Sequence, residues 1–130
     1  MAEDWLALNR ANWDERVAVH LGPAGYGLAP LRAGQGRLDA ITEAELGPVA
    51  GLRLPHMQCH FGKDSLVLAS RGAVVTGLDF SGAAIDAAQR LASELGLPAC
   101  FVQAAVHETQ STLPEPGAFD LVFTTWGTII

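Results

Sequence analysis

From residue 51 onward, short apolar runs rich in β-branched residues alternate with segments of helical periodicity, and no other feature narrows the fold as far. Leu52 to Cys59, Ala73 to Leu78 (AVVTGL), Ala99 to Ala104 (ACFVQA) and Phe119 to Thr125 (FDLVFTT) read as strands. Between the first two, Asp64 to Arg71 reads as a helix with Leu66, Leu68 and Ala69 inward and Gly72 as its stop. Between the second and third, Ser81 caps a helix that runs to Glu94 and ends at Gly96. Its inward face is Ala84, Ile85, Ala88, Leu91, Ala92 and Leu95. Strand and helix alternating through short connections call for right-handed crossovers and a parallel sheet. The stretch joining the third and fourth strands carries Pro114 and Pro116 and fits either a short helix or none. The fold class is therefore α/β, an incomplete doubly wound parallel sheet.

Residues 1–50 follow a different pattern and are expected to form a helical and loop cap on residues 51–130. Trp5, Leu8, Trp13 and Val17 recur at helical spacing, which predicts one or two amphipathic helices between Asp4 and His20 with the tryptophans as core anchors. Gly22, Pro23, Gly25, Gly27 and Pro30 make residues 21–36 a loop, and Ile41 to Leu46 a short helix stopped by Gly47-Pro48.

Composition limits the partners. Apolar residues are 49% and charged residues 17%, with a mean hydropathy of +0.23, which suits a sheet buried on both faces. Lys and Arg number 8 against 14 Asp and Glu, a net charge of −6. That balance argues against wrapping a nucleic-acid backbone or binding an anionic membrane surface. Cys59 and Cys100 are too few for a disulfide framework. The acidic start Met1-Ala2-Glu3-Asp4-Trp5 has no apolar run behind it, and no stretch approaches the roughly 18–20 apolar residues of a bilayer span. A reducing cytoplasm is the expected setting.

In such a sheet, ligands bind beyond the carboxyl ends of the strands, where the strand order reverses. That edge gathers Gln58 to Gly62, Asp79-Phe80, Ala105-Val106 and Thr124 to Gly127. Asp79 directly follows an apolar strand, the position from which a carboxylate accepts bonds from both hydroxyls of a ribose. The alternative is a helix-start carboxylate that satisfies amides. The loop Gln58-Cys59-His60-Phe61-Gly62 has one glycine, which weakens a dinucleotide and a nucleotide-dependent oxidoreductase more than a nucleoside without phosphates. His56 and His60 share a face of an extended strand while Cys59 points away, so no metal site is expected. Cys59 reads as a small buried apolar group, and Asp64 and Ser65 as helix-opening residues with a cofactor contact as the alternative. His20 and His107 have no partner in the sequence and read as surface or loop residues.

The run QCHFGKDSLVLASRGAVVTGLDFSGAAIDAAQRLASELGL, with FVQAAV and FDLVFTTWG after it, resembles the class I S-adenosylmethionine-dependent methyltransferases, a Rossmann-like family. It is most similar to a bacterial subgroup whose first loop reads QCHFG. The stretch NRANWDERVAVH, Tyr26 and ITEAELGPVAGLRL look like that subgroup's leader, so the resemblance spans the chain. It implies S-adenosylmethionine as cofactor and a small-molecule methyl acceptor. It places Gln58, Cys59, His60, Phe61 and Gly62 around the methionine part and Asp79 on the ribose. It sets Phe80 over one adenine face, Ala105 and Val106 at the adenine edge, and Thr124 to Trp126 towards the sulfonium and the acceptor entrance. It names no catalytic residue.

The chain departs from the resembling proteins at several positions. His56 stands where the wider superfamily has an acid, and Gln58 and His60 stand where it has glycines. Ala105 replaces the acid that would read the adenine amino group, a loss on the order of 1.5–3 kcal/mol. Pro55 lies inside a strand expected to be central, where a missing ladder donor is costly. The sequence supplies four strands where the family has more. That implies a truncated form with weak or no activity, self-associating through its exposed fourth strand. The alternative is a non-catalytic remnant or association module.

Overall fold

A computed structural model describes residues 2–113 and 117–125 of the chain. The elements run α1 (Ala2–Leu21), α2 (Ala29–Arg32), α3 (Ala40–Leu46), β1 (Arg53–Met57), α4 (Lys63–Ser70), β2 (Val74–Asp79), α5 (Gly82–Leu95), β3 (Cys100–Gln103), α6 (Thr109–Thr112) and β4 (Phe123–Thr124). A short 3-10 turn, Val106–Glu108, precedes α6. The four strands form one parallel sheet in the order β3-β2-β1-β4. Trp126, expected near the acceptor entrance, lies outside the described residues.

Local chemistry sets the element ends. The Ser81 hydroxyl accepts from the Ala84 amide (3.1 Å), and Gly96 closes α5 in the left-handed region at φ 66°. Asp39, which the sequence reading passed over, caps α3 by accepting from the amides of Ile41 and Thr42. α2 interrupts the stretch expected to be loop, and α6 resolves the alternatives for the β3–β4 connection in favour of a short helix.

The pleat divides the core. Leu54, Val75 and Phe101 share one large apolar cluster with Leu66, Val67 and Leu68 of α4 and Ala84, Ala88 and Leu91 of α5. Met57 and Leu78 form a smaller cluster with Ala104 on the other face, where Val74 is 54% exposed. The first face is thus the better covered one among the described residues. Val17, Leu28, Leu31, Leu38 and Val49 join the large cluster, so the first fifty residues pack on the same core as the sheet.

Two glycines make room for one ring. A Cβ on Gly62 would come within 2.7 Å of the Phe101 ring and one on Gly77 within 2.6 Å. Gly62 also sits at φ 79°, so both its conformation and its packing exclude a side chain.

Pro55 does lie inside β1, paired in register with Thr76. The carbonyl of Leu52 accepts from Val74 on the β2 side, and that of Arg53 accepts from Asp120 on the β4 side. By alternation the Pro55 nitrogen faces β4, whose register with β1 begins only at His56. The β1–β4 register thus begins directly after the position where the proline offers no donor.

α1 is one continuous helix, and it departs from the expected core role of its tryptophans. Trp5 is 61% and Leu8 70% exposed, while Val17 is buried. Trp13 is half-buried and meets the rings of His20 and His60 edge-on, at centroid distances of 6.4 and 5.5 Å. The polar pattern of the helix outweighs the four apolar positions, and α1 lies mainly along α5 with Val17 as its buried anchor.

Candidate functional site

β2 and β3 lie on one side of β1 and β4 on the other, so the strand order reverses between β1 and β4. A cavity of about 840 Å³ opens along the carboxyl edge of the sheet. That falls within the roughly 300–1,000 Å³ typical of small-molecule sites. Gln58, Cys59, His60, Phe61, Asp79, Phe80, Ala105 and Val106 all line it. Gly62 and Thr124 are not among its lining residues, and Thr125 takes the place expected of Thr124.

The loop after β1 is held in an uncommon shape. Gln58 and His60 have positive φ, 51° and 55°, so the left-handed turns that glycines would allow persist with side chains attached. Each such residue costs on the order of 1–3 kcal/mol, and such strain gathers at functional sites. Asp79 offsets part of it. Its Oδ2 accepts from the His60 amide (2.8 Å) and its Oδ1 from the Ser81 amide (2.9 Å). The carboxylate thus ties the β1 loop to the start of α5 while lining the cavity. Burial pushes its pKa up, against the pull of those amides.

His56 is buried at the reversal point, 1% exposed. Its Nδ1 lies 2.6 Å from the Ser65 hydroxyl and its Nε2 3.1 Å from the Thr125 hydroxyl. It therefore joins β1 to α4 and to the chain leaving β4, and burial lowers its pKa to about 4. The sequence marked His56 as a departure and weighed it as a metal ligand, and neither reading gave it this linking role. A polar residue between Pro55 and Met57 at the apolar end of β1, just before the loop, was the available signal.

A ring cluster forms another wall. His20 Nδ1 and His60 Nε2 are 2.8 Å apart, and Tyr26 stacks on His20 at 4.4 Å. His20 is thus no unpartnered surface residue. Burial, then the neighbouring His20, lowers the His60 pKa to about 4, and its Nδ1 is buried without a hydrogen-bond partner among the described residues. Asp14 accepts from the Ser81 hydroxyl (2.5 Å), and the Arg10 guanidinium lies 5.9 Å from the Phe80 ring centre. α1 is in this way fastened across the cavity, with Trp5, Leu6, Asn9 and Trp13 on its lining. The Ala105 amide donates to Glu108 (3.0 Å), which closes the β3 end on itself. Cys59 is buried, and burial followed by the charge of Asp79 pushes its thiol pKa up, against thiolate formation. Among the described residues no three His, Cys, Asp or Glu converge on a metal position, and no helix is long and apolar enough to cross a membrane.

A cavity at the reversal point of a parallel sheet, marked by a carboxylate at the end of β2, defines an α/β domain of the nucleoside-binding, Rossmann-like class. The methyltransferase-domain family profile matches residues 56–129, and the chain belongs to that family. This agrees with the class I S-adenosylmethionine-dependent resemblance of the sequence. The crystal structure of WbdD, described as a bifunctional kinase-methyltransferase, is similar at 30% identity over 75% of this chain and 22% of that one, with a TM-score of 0.51. A structure concerned with conversion of a disulfide bond into a thioacetal group during echinomycin biosynthesis matches at 28% identity, over 74% of this chain and 44% of that one, TM-score 0.58. The T. thermophilus 16S rRNA methyltransferase RsmC, in complex with AdoMet and guanosine, shares the fold at 24% identity, over 73% and 27%, TM-score 0.58. The chain spans less than half the length of each of these structures. No curated protein matches.

Proposed function

We propose that the chain binds S-adenosylmethionine along the carboxyl edge of its sheet and takes part in methyl transfer to a small-molecule acceptor. The observation that carries this reading is the placement of Asp79. Its oxygens accept from the His60 and Ser81 amides, with the Phe80 amide also drawing on the carboxylate. An ionised carboxylate has about four acceptor positions, so capacity remains for a ribose hydroxyl. The half-buried Phe80 ring and the apolar Ala105 and Val106 stand beside it on the same cavity, as an adenine requires. These residues fit the cofactor of the family.

When bound, S-adenosylmethionine supplies a methyl group already activated on a sulfonium. What remains for the chain is to bind, to orient and to keep water away. Asp79 and Phe80 hold the nucleoside, with Gln58 to Gly62 as the wall next to them. His56 fixes Thr125 at the reversal point, and α1 covers the cavity as part of the residue 1–50 cap. A net charge of −6 supports a small acceptor over a nucleic acid. The free thiols of Cys59 and Cys100 accord with a reducing, cytoplasmic setting. Self-association through β4 belongs to the same reading: among the described residues β4 pairs on one side, and Val122 next to it is 66% exposed.

Calorimetric titration with S-adenosylhomocysteine tests the reading. Asp79→Ala is expected to weaken binding by roughly tenfold or more. An unchanged affinity removes the ribose assignment, and no heat from the wild type at about millimolar ligand removes the cofactor itself.

A further inference from the structure

One end of α1 is held down by a contact between two imidazoles. His20, in the last turn of the helix, and His60, in the loop after β1, present Nδ1 and Nε2 to each other at 2.8 Å. The surroundings are rings. Tyr26 stacks on His20 at 4.4 Å, and Trp13 and Phe61 meet His60 at 5.5 and 4.7 Å. On its other side, His60 Nδ1 is buried with no hydrogen-bond partner among the described residues. The bridge to His20 is therefore the one hydrogen bond that ring makes among them.

Two nitrogens at this distance need one proton between them. With none, two lone pairs meet, and with two, a pair of N–H groups collide. Neutral rings supply the bridging proton in either tautomer, which makes two protons on the pair. A third goes to an outer nitrogen and leaves the bridge intact. A fourth has no place except in the bridge, and it breaks the contact. Burial, then His20, already holds the His60 pKa down to about 4, so the ring resists charge while the helix is in place.

The neighbouring charges do not relieve this. Asp79 at the end of β2 meets His60 through the backbone amide, and Asp14 of α1 is engaged with the Ser81 hydroxyl at the start of α5. Lys63 of α4 is directed to the Tyr26 carbonyl (3.1 Å). Arg10 and Arg16 of α1 lie over the Phe80 and Trp13 rings. Among the described residues no carboxylate bonds either imidazole.

We propose that the His20–His60 pair is a proton-counting latch, which holds α1 across the cavity with two or three protons on its nitrogens and releases the helix on the fourth. In the released state each ring takes a proton near pH 6.5. The closed pair cannot hold both, so the released state gains as the pH falls below that value, by up to about tenfold per pH unit for each proton withheld. Release of the helix stands on the ring geometry alone. Only the identity of what then leaves the cavity rests on the cofactor reading above.

Native-state hydrogen exchange of the 130-residue chain, corrected for intrinsic rates, reads the opening of α1 apart from that of α5. Between pH 6.5 and about 5 the opening constant of α1 is expected to rise roughly tenfold or more, with the α5 amides better protected than α1 throughout. His60→Gln places a hydrogen-bonding side chain that takes up no proton, of a type already held at positive φ at Gln58. Its α1 should change by less than about threefold over the same interval. His20→Gln should lower the slope, and it is the variant to read if His60→Gln leaves the helix open at neutral pH. Asp14→Asn should keep the slope. An α1 indifferent to pH in the wild type, an unaltered slope in the glutamine variants, loss of the slope in Asp14→Asn, or α1 and α5 opening together would overturn the latch. Dissociation of S-adenosylhomocysteine should quicken in step with the opening, and a rate that ignores it would remove the cavity from the control of the latch. If that ligand does not bind at all, the cofactor reading fails, while the exchange measurement still decides the latch.

Discussion

Acidification should destabilise this protein through His56. In the folded chain its pKa falls from 6.5 to about 4, because burial opposes the charged ring. In the unfolded chain the ring takes up a proton near pH 6.5. Between those two pH values the unfolded state binds the extra proton, so stability falls as the pH falls. At about 1.36 kcal/mol per unit of pKa, the loss attributable to this ring is on the order of 3 kcal/mol. That is a large share of the roughly 5–15 kcal/mol that holds an ordinary domain folded. Urea unfolding at several pH values between 7.5 and 4.5 measures the slope, with His56→Gln as reference. The variant gives up the Ser65 and Thr125 contacts and starts about 1–3 kcal/mol less stable. Its stability should then fall less steeply below pH 6.5, by up to about 1.4 kcal/mol per pH unit. His60 titrates in both proteins, so its contribution cancels in the comparison. Equal slopes in wild type and variant would show that His56 is not held neutral by the fold.

Gln58→Gly relaxes a left-handed residue whose side chain is exposed, and it should leave stability unchanged or raise it by up to about 1 kcal/mol in urea unfolding. A loss beyond about 1 kcal/mol would mean that the Gln58 side chain is itself a structural element. Size-exclusion chromatography over a wide concentration range is expected to show association through the outer edge of β4. A clean monomer at high concentration would count against it.

Much of this architecture was legible in the residues. Ser81 and Gly96 bracket α5 because a hydroxyl cap and a left-handed stop are written in single residues. Asp79 could be placed at the end of β2 because an apolar strand ends on it. Less legible were contacts between segments distant in the chain. Nothing near His20 points to His60, and nothing near Ser65 or Thr125 points to a shared imidazole. Trp5 and Leu8 matched a helical stripe, yet so many charges surround them that the helix seats itself by polar contacts instead. Pro55 looked like a defect because the sequence shows which donor is missing but not which neighbour would have needed it. Asp64 was read as a helix opener, and it does stand in the first turn of α4, while the cap position falls to Gly62.

The fastening of α1 has a kinetic consequence. The helix is pinned by Asp14 on Ser81, by His20 on His60 and by Arg10 over Phe80, while Val17 is its one buried apolar side chain among those described. Three polar pins release more readily than a buried seam, so the helix can lift while the sheet beneath it stays intact. Ligand exchange would then keep time with that lifting, and residence in the cavity would be governed by a segment that lies outside the sheet altogether.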